Sequence, residues 1–188
     1  MPDTFESEYY LNKIGILAAE KIRRLRNERL RDVRQSSEIT FYAQQLYFFR
    51  HVWFGPKFYK DRQVLRTVNS STLGFIGYMG LVHINRQASH CEFSSLLHSG
   101  VDEESKGYLE EFLFCISTAE RICRSMSLGK IFAEVFRHRE ETINALFLAG
   151  FTEVERCDYP QEGRRLGQSF HSIFMVKSVS TIRPPPNP

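Results

Sequence analysis

The stretch IFAEVFRHREETINALFLAGF, residues 131–151, decides the fold of this chain. Its first six residues are mainly apolar and predict a buried strand. Glu140 and Glu141 follow, and acidic side chains favour the first turn of a helix because of the helix dipole. Apolar residues then recur at helical spacing, and Gly150 is placed to end the helix before a new strand at 152–157. The stretch therefore predicts the order strand, helix, strand.

The remaining chain extends this pattern in both directions. Further strands are predicted from alternating apolar residues bounded by turn residues, at 63–68, 74–84, 90–98 and 170–177. Further helices are predicted from apolar residues at helical spacing, one or two at 8–34, one at 40–53 with Ser37 or Thr40 as N-cap, and one at 107–126. This order predicts a single α/β domain over residues 1–180 with a mixed central sheet, N-terminal helices and a C-terminal half of helix, strand, helix and strand. Proline-rich residues 181–188 are expected to form a disordered tail.

Composition narrows the class of protein. A chain of 188 residues with 42% apolar and 25% charged residues is typical of one globular domain. No run approaches the roughly 20 apolar residues that a membrane span needs, and the N-terminus does not resemble a secretion signal. The four cysteines lack metal-ligand spacing, so we expect free thiols, no metal site and a cytoplasmic location. A net charge of +3 does not favour nucleic acid as a partner.

The strand, helix, Gly-Phe and strand of the opening stretch resemble the closing unit of the GNAT N-acetyltransferase superfamily, and the resemblance extends over about residues 21–177. Residues 82–93 and the ending GRRLGQSFHSIFMVK are similar to the branch that acetylates protein N-termini, polyamines and amino sugars. The front end, including LRNERLRDVR, is similar to bacterial amino-sugar nucleotide acetyltransferases. The resemblance implies an N-acetyltransferase with acetyl-CoA as co-substrate, in which a small amine attacks directly in a ternary complex.

The resemblance also implies where acetyl-CoA binds. In such proteins the strand that matches 90–98 offers backbone groups to the pantetheine arm, and amide groups at the next helix start bind the pyrophosphate. The residues expected to contact acetyl-CoA are Leu96, Leu97, Ser105, Lys106, Gly107, Tyr108 and Arg139. Of the family's glycine pattern only Gly107 is kept, while Glu104 would bring negative charge beside the pyrophosphate and Leu109 would crowd it. An ordinary capped helix start is the alternative interpretation.

Glu92 is the preferred candidate for the base that deprotonates the amine. It matches an acidic residue at the start of this strand in the protein- and polyamine-acetylating relatives, and we expect it to act through a water molecule. Glu92, Ser94, Leu96 and His98 share one face of the predicted strand because strand side chains alternate. His98 is a second candidate because histidine titrates near neutrality. A solvated or ion-paired glutamate and an exposed bystander histidine are the alternatives.

The acid that protonates the leaving thiolate is less well defined. The family usually carries a tyrosine where this chain has Leu146, and an asparagine where it has Arg139. Leucine cannot donate a proton, so a proton would come from water or from Tyr108 or Tyr159. Arg139 pairs with a phosphate in one interpretation and is a solvated charge at a helix start in the other.

A basic segment at 21–34 suggests a site for the acceptor. Arg26 or Arg34 would bind an anionic acceptor such as a nucleotide-linked amino sugar. The alternative is the solvated face of an amphipathic helix. An aromatic cluster follows at 41–59, and we expect most of it to form core or an oligomer surface, which leaves a homodimer open.

Two further functions remain open at the level of sequence. A GNAT-fold protein that has lost acetyl transfer and serves as a binding or assembly module is favoured by the substitutions at Glu104, Ser105, Leu109, Arg139 and Leu146. Alternatively, the donor is an acyl carrier protein, whose acidic surface would suit the basic segment.

Overall fold

The computed structural model describes residues 8–35, 37–54, 63–98, 106–158, 160 and 172–180. Within them, seven strands form one sheet in the order β1-β2-β3-β4-β5-β7-β6. The strands are β1 (Tyr9–Asn12), β2 (Val64–Ser70), β3 (Gly74–Asn85), β4 (His90–Leu97), β5 (Lys130–Phe136), β6 (Thr152–Val154) and β7 (Ser172–Ser178). The α-helices are α1 (Ile16–Glu28), α2 (Phe41–Phe48), α3 (Lys106–Ser125) and α4 (Glu140–Leu148). Neighbouring strands are antiparallel except β4 and β5, which are parallel.

The opening stretch folds as predicted. Glu140 and Glu141 occupy the first turn of α4. Gly150 ends the helix with a φ of 85°, a left-handed conformation that glycine adopts without strain. Its N–H donates to the Phe147 carbonyl at 2.9 Å, and the Phe151 N–H donates to the Leu146 carbonyl at 3.0 Å. This pair of bonds is a Schellman motif, which satisfies the last carbonyls of the helix and turns the chain into β6.

Three predicted elements differ in the structure. Tyr9–Asn12 is strand β1 and not part of the first helix, because these residues alternate in burial and pair with the edge of β2. The helix expected at 40–53 is capped by the Thr40 hydroxyl and stops at Phe48, where a wider π-type turn follows. The strand expected at 152–157 ends at Val154 and is followed by a 3₁₀ turn. The proposed tail at 181–188 lies outside the described residues.

Helices cover both faces of the sheet, and each face has its own apolar cluster. Phe93 and Leu97 of β4 belong to the cluster beneath α3 and α4. Leu96 of the same strand belongs to the cluster beneath α1 and α2. Because successive strand side chains point to opposite faces, β4 contributes to both clusters. Among the described helices, none is long and apolar enough to cross a membrane.

Candidate active site

A gap opens between strands β4 and β5 in the middle of the sheet. The two strands pair over three positions, the last of which joins Glu92 to Phe132. Beyond that position the described residues of β4 pair only with β3, as far as Leu97 opposite Gly77. Alternate residues of an antiparallel strand direct their N–H and C=O groups away from the partner strand. Backbone groups of the second half of β4 therefore face the gap and are free of strand pairing on that side.

A cavity of about 1570 Å³ runs through this gap. Ser94 and Ser95 of β4 line it, as do Ala133 and Glu134 of β5. Each of these pairs consists of sequence neighbours, whose side chains point to opposite faces of the sheet. The cavity is consequently open to both faces at the point where the strands separate.

The two parts of the cavity differ in composition, and we name them by the nearest helix. The α4 half is lined by Ser95, Phe112, Ala133, Val135, Thr142 and Leu146. The α1 half is lined by Arg26, Arg34, Tyr47, Arg50, Ser94 and Glu134. The first set is mainly apolar, and the second is mainly charged or polar.

A buried group of polar side chains lies behind the wall of the α4 half. Tyr108 is 1% exposed, and its hydroxyl is 2.6 Å from the Thr142 hydroxyl. A guanidinium nitrogen of Arg139 donates to the same Tyr108 oxygen at 3.1 Å. Of these three residues, Thr142 and Arg139 line the cavity. Thr142 precedes Leu146 by one helical turn, so the two side chains share one face of α4.

An arginine bridges two carboxylates in the α1 half. Arg34 donates to Glu92, which is 5% exposed, and also to Glu134 at 2.9 Å. Glu92 is the last β4 residue paired with β5, and Glu134 lies two residues beyond its partner Phe132 on the same face. The two carboxylates therefore meet where the strands separate. Either one can accept a proton, and Arg34 holds both in place.

Asp32 links the segment after α1 to the turn after β5. It accepts hydrogen bonds from Arg29 and from His138 Nε2, the latter at 3.1 Å. Burial acts to raise the pKa of Asp32, but these hydrogen bonds and the nearby charge of Arg139 outweigh burial, so the pKa is lowered. Asp32 itself lines the cavity. Asp32 therefore holds together the segment after α1 and the turn after β5, which both contribute to the cavity wall.

The residues predicted to contact acetyl-CoA lie in different parts of the structure. Leu96 and Leu97 have buried side chains, so only their backbone groups remain for a ligand in the gap. Lys106 and Gly107 begin α3, and the Gly107 backbone has open space around it. Ser105 lies outside the described residues. These ligand contacts stay predictions.

The other predicted site residues fall into two groups. Arg26 and Arg34 line the cavity, and Glu92 contacts Arg34 at its edge. His98 lies elsewhere: its side chain is exposed, its ring packs edge-on against Phe75 at 6.1 Å, and it lines a separate small pocket beside α1. The large cavity therefore brings together the arginines and Glu92 but not His98.

Sequence reasoning missed Glu134 and Thr142. Each carried a weak signal: Glu134 is a charged residue inside an apolar strand, and Thr142 precedes Leu146 at helical spacing. The described residues contain no group of three or more His, Cys, Asp or Glu side chains that could hold a metal ion.

Comparison with known proteins identifies the fold. The structure is similar to spermidine N-acetyltransferase from Vibrio cholerae in complex with CoA and spermine, with a TM-score of 0.72 and 17% identity over 93% of this chain and 97% of that one. This chain has the GNAT fold. The dodecameric form of the Vibrio cholerae enzyme is similar to it as well, with a TM-score of 0.69 and 18% identity over 92% of this chain and 95% of that one. No protein-family model matches the sequence, and no curated protein matches it.

The GNAT fold confirms the predicted architecture, a mixed α/β sheet with N-terminal helices. The similar Vibrio cholerae structure contains CoA and spermine. At 17% identity, the likeness is one of fold.

Proposed function

We propose that this protein is an N-acyltransferase that transfers an acetyl group from acetyl-CoA to a small amine in a ternary complex. The observation that carries the proposal is the gap between β4 and β5, which opens one cavity to both faces of the sheet. Two ligands entering from opposite faces would meet at the gap without competing for the same wall. Such an arrangement suits direct transfer, because it brings the two reacting groups together in a fixed orientation.

The α4 half suits the acyl donor. Its wall is mainly apolar, and the unpaired backbone groups of β4 offer hydrogen bonds along an extended ligand arm. Lys106 and Gly107 start α3, and amide groups at a helix start favour phosphate. Acetyl-CoA would supply an activated acyl thioester. In this proposal Leu96, Leu97, Gly107 and Arg139 contribute to its binding.

The α1 half suits the amine acceptor. We assign Glu92 as the base that accepts the amine proton, directly or through a water molecule, because its carboxylate lies where the two halves meet. The acceptor would displace part of the contact between Arg34 and Glu92. Among amines we favour an amino sugar or sugar nucleotide, since the aromatic rings of Tyr47 and Phe49 line this half and sugars stack on such rings.

The α4 half also holds a group that can supply a proton. Leu146 lines the cavity and cannot donate, but the Thr142 hydroxyl lies one turn away on the same helix face. In the proposed relay Thr142 Oγ1 gives its proton to the leaving group, and Tyr108 Oη gives its proton to Thr142. Arg139 then stabilises the negative charge on Tyr108 through its hydrogen bond.

Calorimetric titration with acetyl-CoA tests the proposal. We expect a dissociation constant below about 1 mM, the upper end of ordinary substrate affinities. Release of free CoA thiol in the presence of an amine panel then tests turnover. No binding at millimolar acetyl-CoA would contradict the proposal. Binding of acetyl-CoA without turnover on any amine would favour a non-catalytic binding protein. Turnover only when the acyl group is supplied on an acyl carrier protein would show that this protein, and not acetyl-CoA, is the donor.

A further inference from the structure

Arginines dominate the charged groups that line the cavity. Among the described lining residues they are Arg26, Arg34, Arg50, Arg86 and Arg139, against the carboxylates of Asp32 and Glu134. Arg139 immediately precedes α4, whereas the other arginines come from α1, from the segments that follow α1 and α2, or from the β3–β4 turn. The charge of the acceptor side is therefore positive overall.

Both carboxylates of the cavity wall already have cationic partners. Asp32 pairs with Arg29 and His138, and Glu134 pairs with Arg34. An incoming ammonium group would have to displace these partners to gain a charge contact. Breaking an existing pair offsets most of what the new pair would contribute, so this wall favours a polycation weakly.

Arg26 and Arg50 are in the opposite situation. The Arg26 Nε donates to the neutral side-chain oxygen of Gln35 at 3.1 Å. Across the part of the chain that the structure describes, no carboxylate pairs with either guanidinium. Guanidinium groups bind phosphate and carboxylate through two parallel hydrogen bonds. The two side chains therefore retain their capacity for an anion.

An aromatic side chain lines the cavity together with the two arginines. Tyr47 lines the same half, and its hydroxyl donates to Gln63 at 3.0 Å. Burial raises the pKa of Tyr47, while its hydrogen bond with Gln63 and the positive charge of Arg26 act in the opposite direction. Arg50 follows Tyr47 by three residues, in the turn that continues α2. Arg26, Tyr47 and Arg50 thus line the same half of the cavity.

We propose that the amine acceptor carries an anionic group, a phosphate or a carboxylate, which Arg26 and Arg50 bind in the α1 half of the cavity. The inference rests on the proposed N-acyltransferase function and narrows its substrate class. It separates this chain from a polyamine acetyltransferase, although the fold is shared with a protein that binds spermine. The amine end of the acceptor points toward the gap and Glu92, and the anionic end points toward α2.

Two matched pairs of amines test the inference. Glucosamine 6-phosphate is compared with glucosamine, and tyrosine with tyramine, by calorimetric titration of the full chain with and without saturating CoA, which lacks the acyl group. Spermidine is titrated in parallel. We expect the phosphate- or carboxylate-bearing member of at least one pair to bind at least tenfold more tightly than its counterpart without that group, and more tightly than spermidine. The pair that responds identifies phosphate or carboxylate.

Substitutions test whether Arg26 and Arg50 cause the tighter binding of amines that carry an anionic group. Arg26→Gln and Arg50→Gln should each reduce the anionic advantage by about tenfold, as expected for loss of one charge-assisted contact of about 1.4 kcal/mol. Arg31→Gln is the matched control, because Arg31 is exposed and does not line the cavity. Its affinities should equal those of the unaltered protein.

The outcomes separate the two proposals. Equal affinities within both pairs, no binding of any of the four amines, or tighter binding of spermidine would overturn the anionic acceptor. If CoA binds in that case, the proposed acyltransferase function survives. If CoA does not bind but the anionic advantage is present and depends on Arg26 and Arg50, the anion site stands and the acyltransferase function is overturned.

Discussion

The two halves of the cavity share one gap but differ in how their polar groups are satisfied. In the α4 half, the buried Tyr108 hydroxyl bonds to both Thr142 and Arg139, which line a mainly apolar wall. In the α1 half, Arg34 joins the carboxylates of Glu92 and Glu134 at the wall itself. A mainly apolar wall suits the acyl donor, which would be the same in related enzymes that act on different amines. A wall of charged side chains suits the amine acceptor, because substitution of those side chains would change which amine binds.

The contrast also explains why two proteins with the same fold can act on different substrates. The α4 half depends on the strand, helix and strand that make up the opening stretch, and the hydrophobic clusters hold those elements in place. The α1 half depends on side chains of α1, α2 and the turns around them, which can change without altering the sheet. We therefore expect changes in the α1 half to alter acceptor use, and changes in the α4 half to alter donor binding or stability.

The largest expected effect comes from the proposed base. Glu92→Gln should lower kcat/KM for the acceptor by about 100-fold, the usual cost of losing a general base, and leave acetyl-CoA affinity unchanged. Initial rates of CoA release and a calorimetric titration measure the two quantities. Glu134→Gln is the comparison variant, since it also removes one partner of Arg34. A larger loss in Glu134→Gln than in Glu92→Gln would show that the base has been assigned to the wrong carboxylate.

The second largest effect is expected on stability, from the loss of the buried Tyr108 hydroxyl. Tyr108→Phe removes a hydroxyl that bonds to both Thr142 and Arg139, so the free energy of unfolding should fall by about 1–2 kcal/mol. Urea denaturation measures this change. Tyr10→Phe is the control, because Tyr10 is 46% exposed and its substitution should change the free energy of unfolding by less than about 0.5 kcal/mol. Equal stability of the two variants would contradict the buried network.

The smallest effect concerns the link at Asp32 and its dependence on pH. Because the folded-state pKa of Asp32 is lowered, its contribution to stability is present above the unfolded-state pKa of about 3.9 and is lost as the pH falls through the lower folded-state value. Asp32→Asn should therefore lower the free energy of unfolding by about 1 kcal/mol at pH 7.

The difference between Asp32→Asn and the unaltered protein should shrink as the pH falls below about 4, where Asp32 becomes protonated in the unfolded chain before it does so in the folded protein. Denaturation curves between pH 7 and pH 3 measure it. Glu153→Gln, which changes an exposed strand residue, should show little difference at any pH. A stability difference for Asp32→Asn that is constant over this range would contradict the charged link.

Local signals explain which elements could be predicted from the sequence. The acidic first turn and Gly150 define α4, and the Thr40 hydroxyl caps α2 by accepting from the Ala43 N–H at 3.2 Å. Both signals lie within four residues of the helix end that they determine. Strand β1 could not be recognised in this way, because its identity depends on pairing with β2 more than fifty residues later.

The candidate site shows the same limit. Arg34 contacts Glu92 across 58 residues of sequence and Glu134 across 100. The sequence therefore predicted Arg34 and Glu92 as separate candidates with different roles toward the acceptor, and the fold joins them in one ion-paired group. Thr142 became a candidate only when the structure placed it between the cavity and Tyr108. Long-range side-chain contacts have no local pattern from which they could be inferred.

Ser94 and Ser95 allow the most direct test of the claim that one gap serves two ligands from opposite faces. They are sequence neighbours that line opposite halves of the cavity. Calorimetric titration with acetyl-CoA should show Ser95→Phe binding at least about tenfold more weakly, because the ring fills the α4 half at a cost of about 1–3 kcal/mol. Ser94→Phe should keep the wild-type affinity for acetyl-CoA. Equal weakening in both variants, or weakening in Ser94→Phe alone, in proteins with unchanged thermal unfolding would contradict the claim.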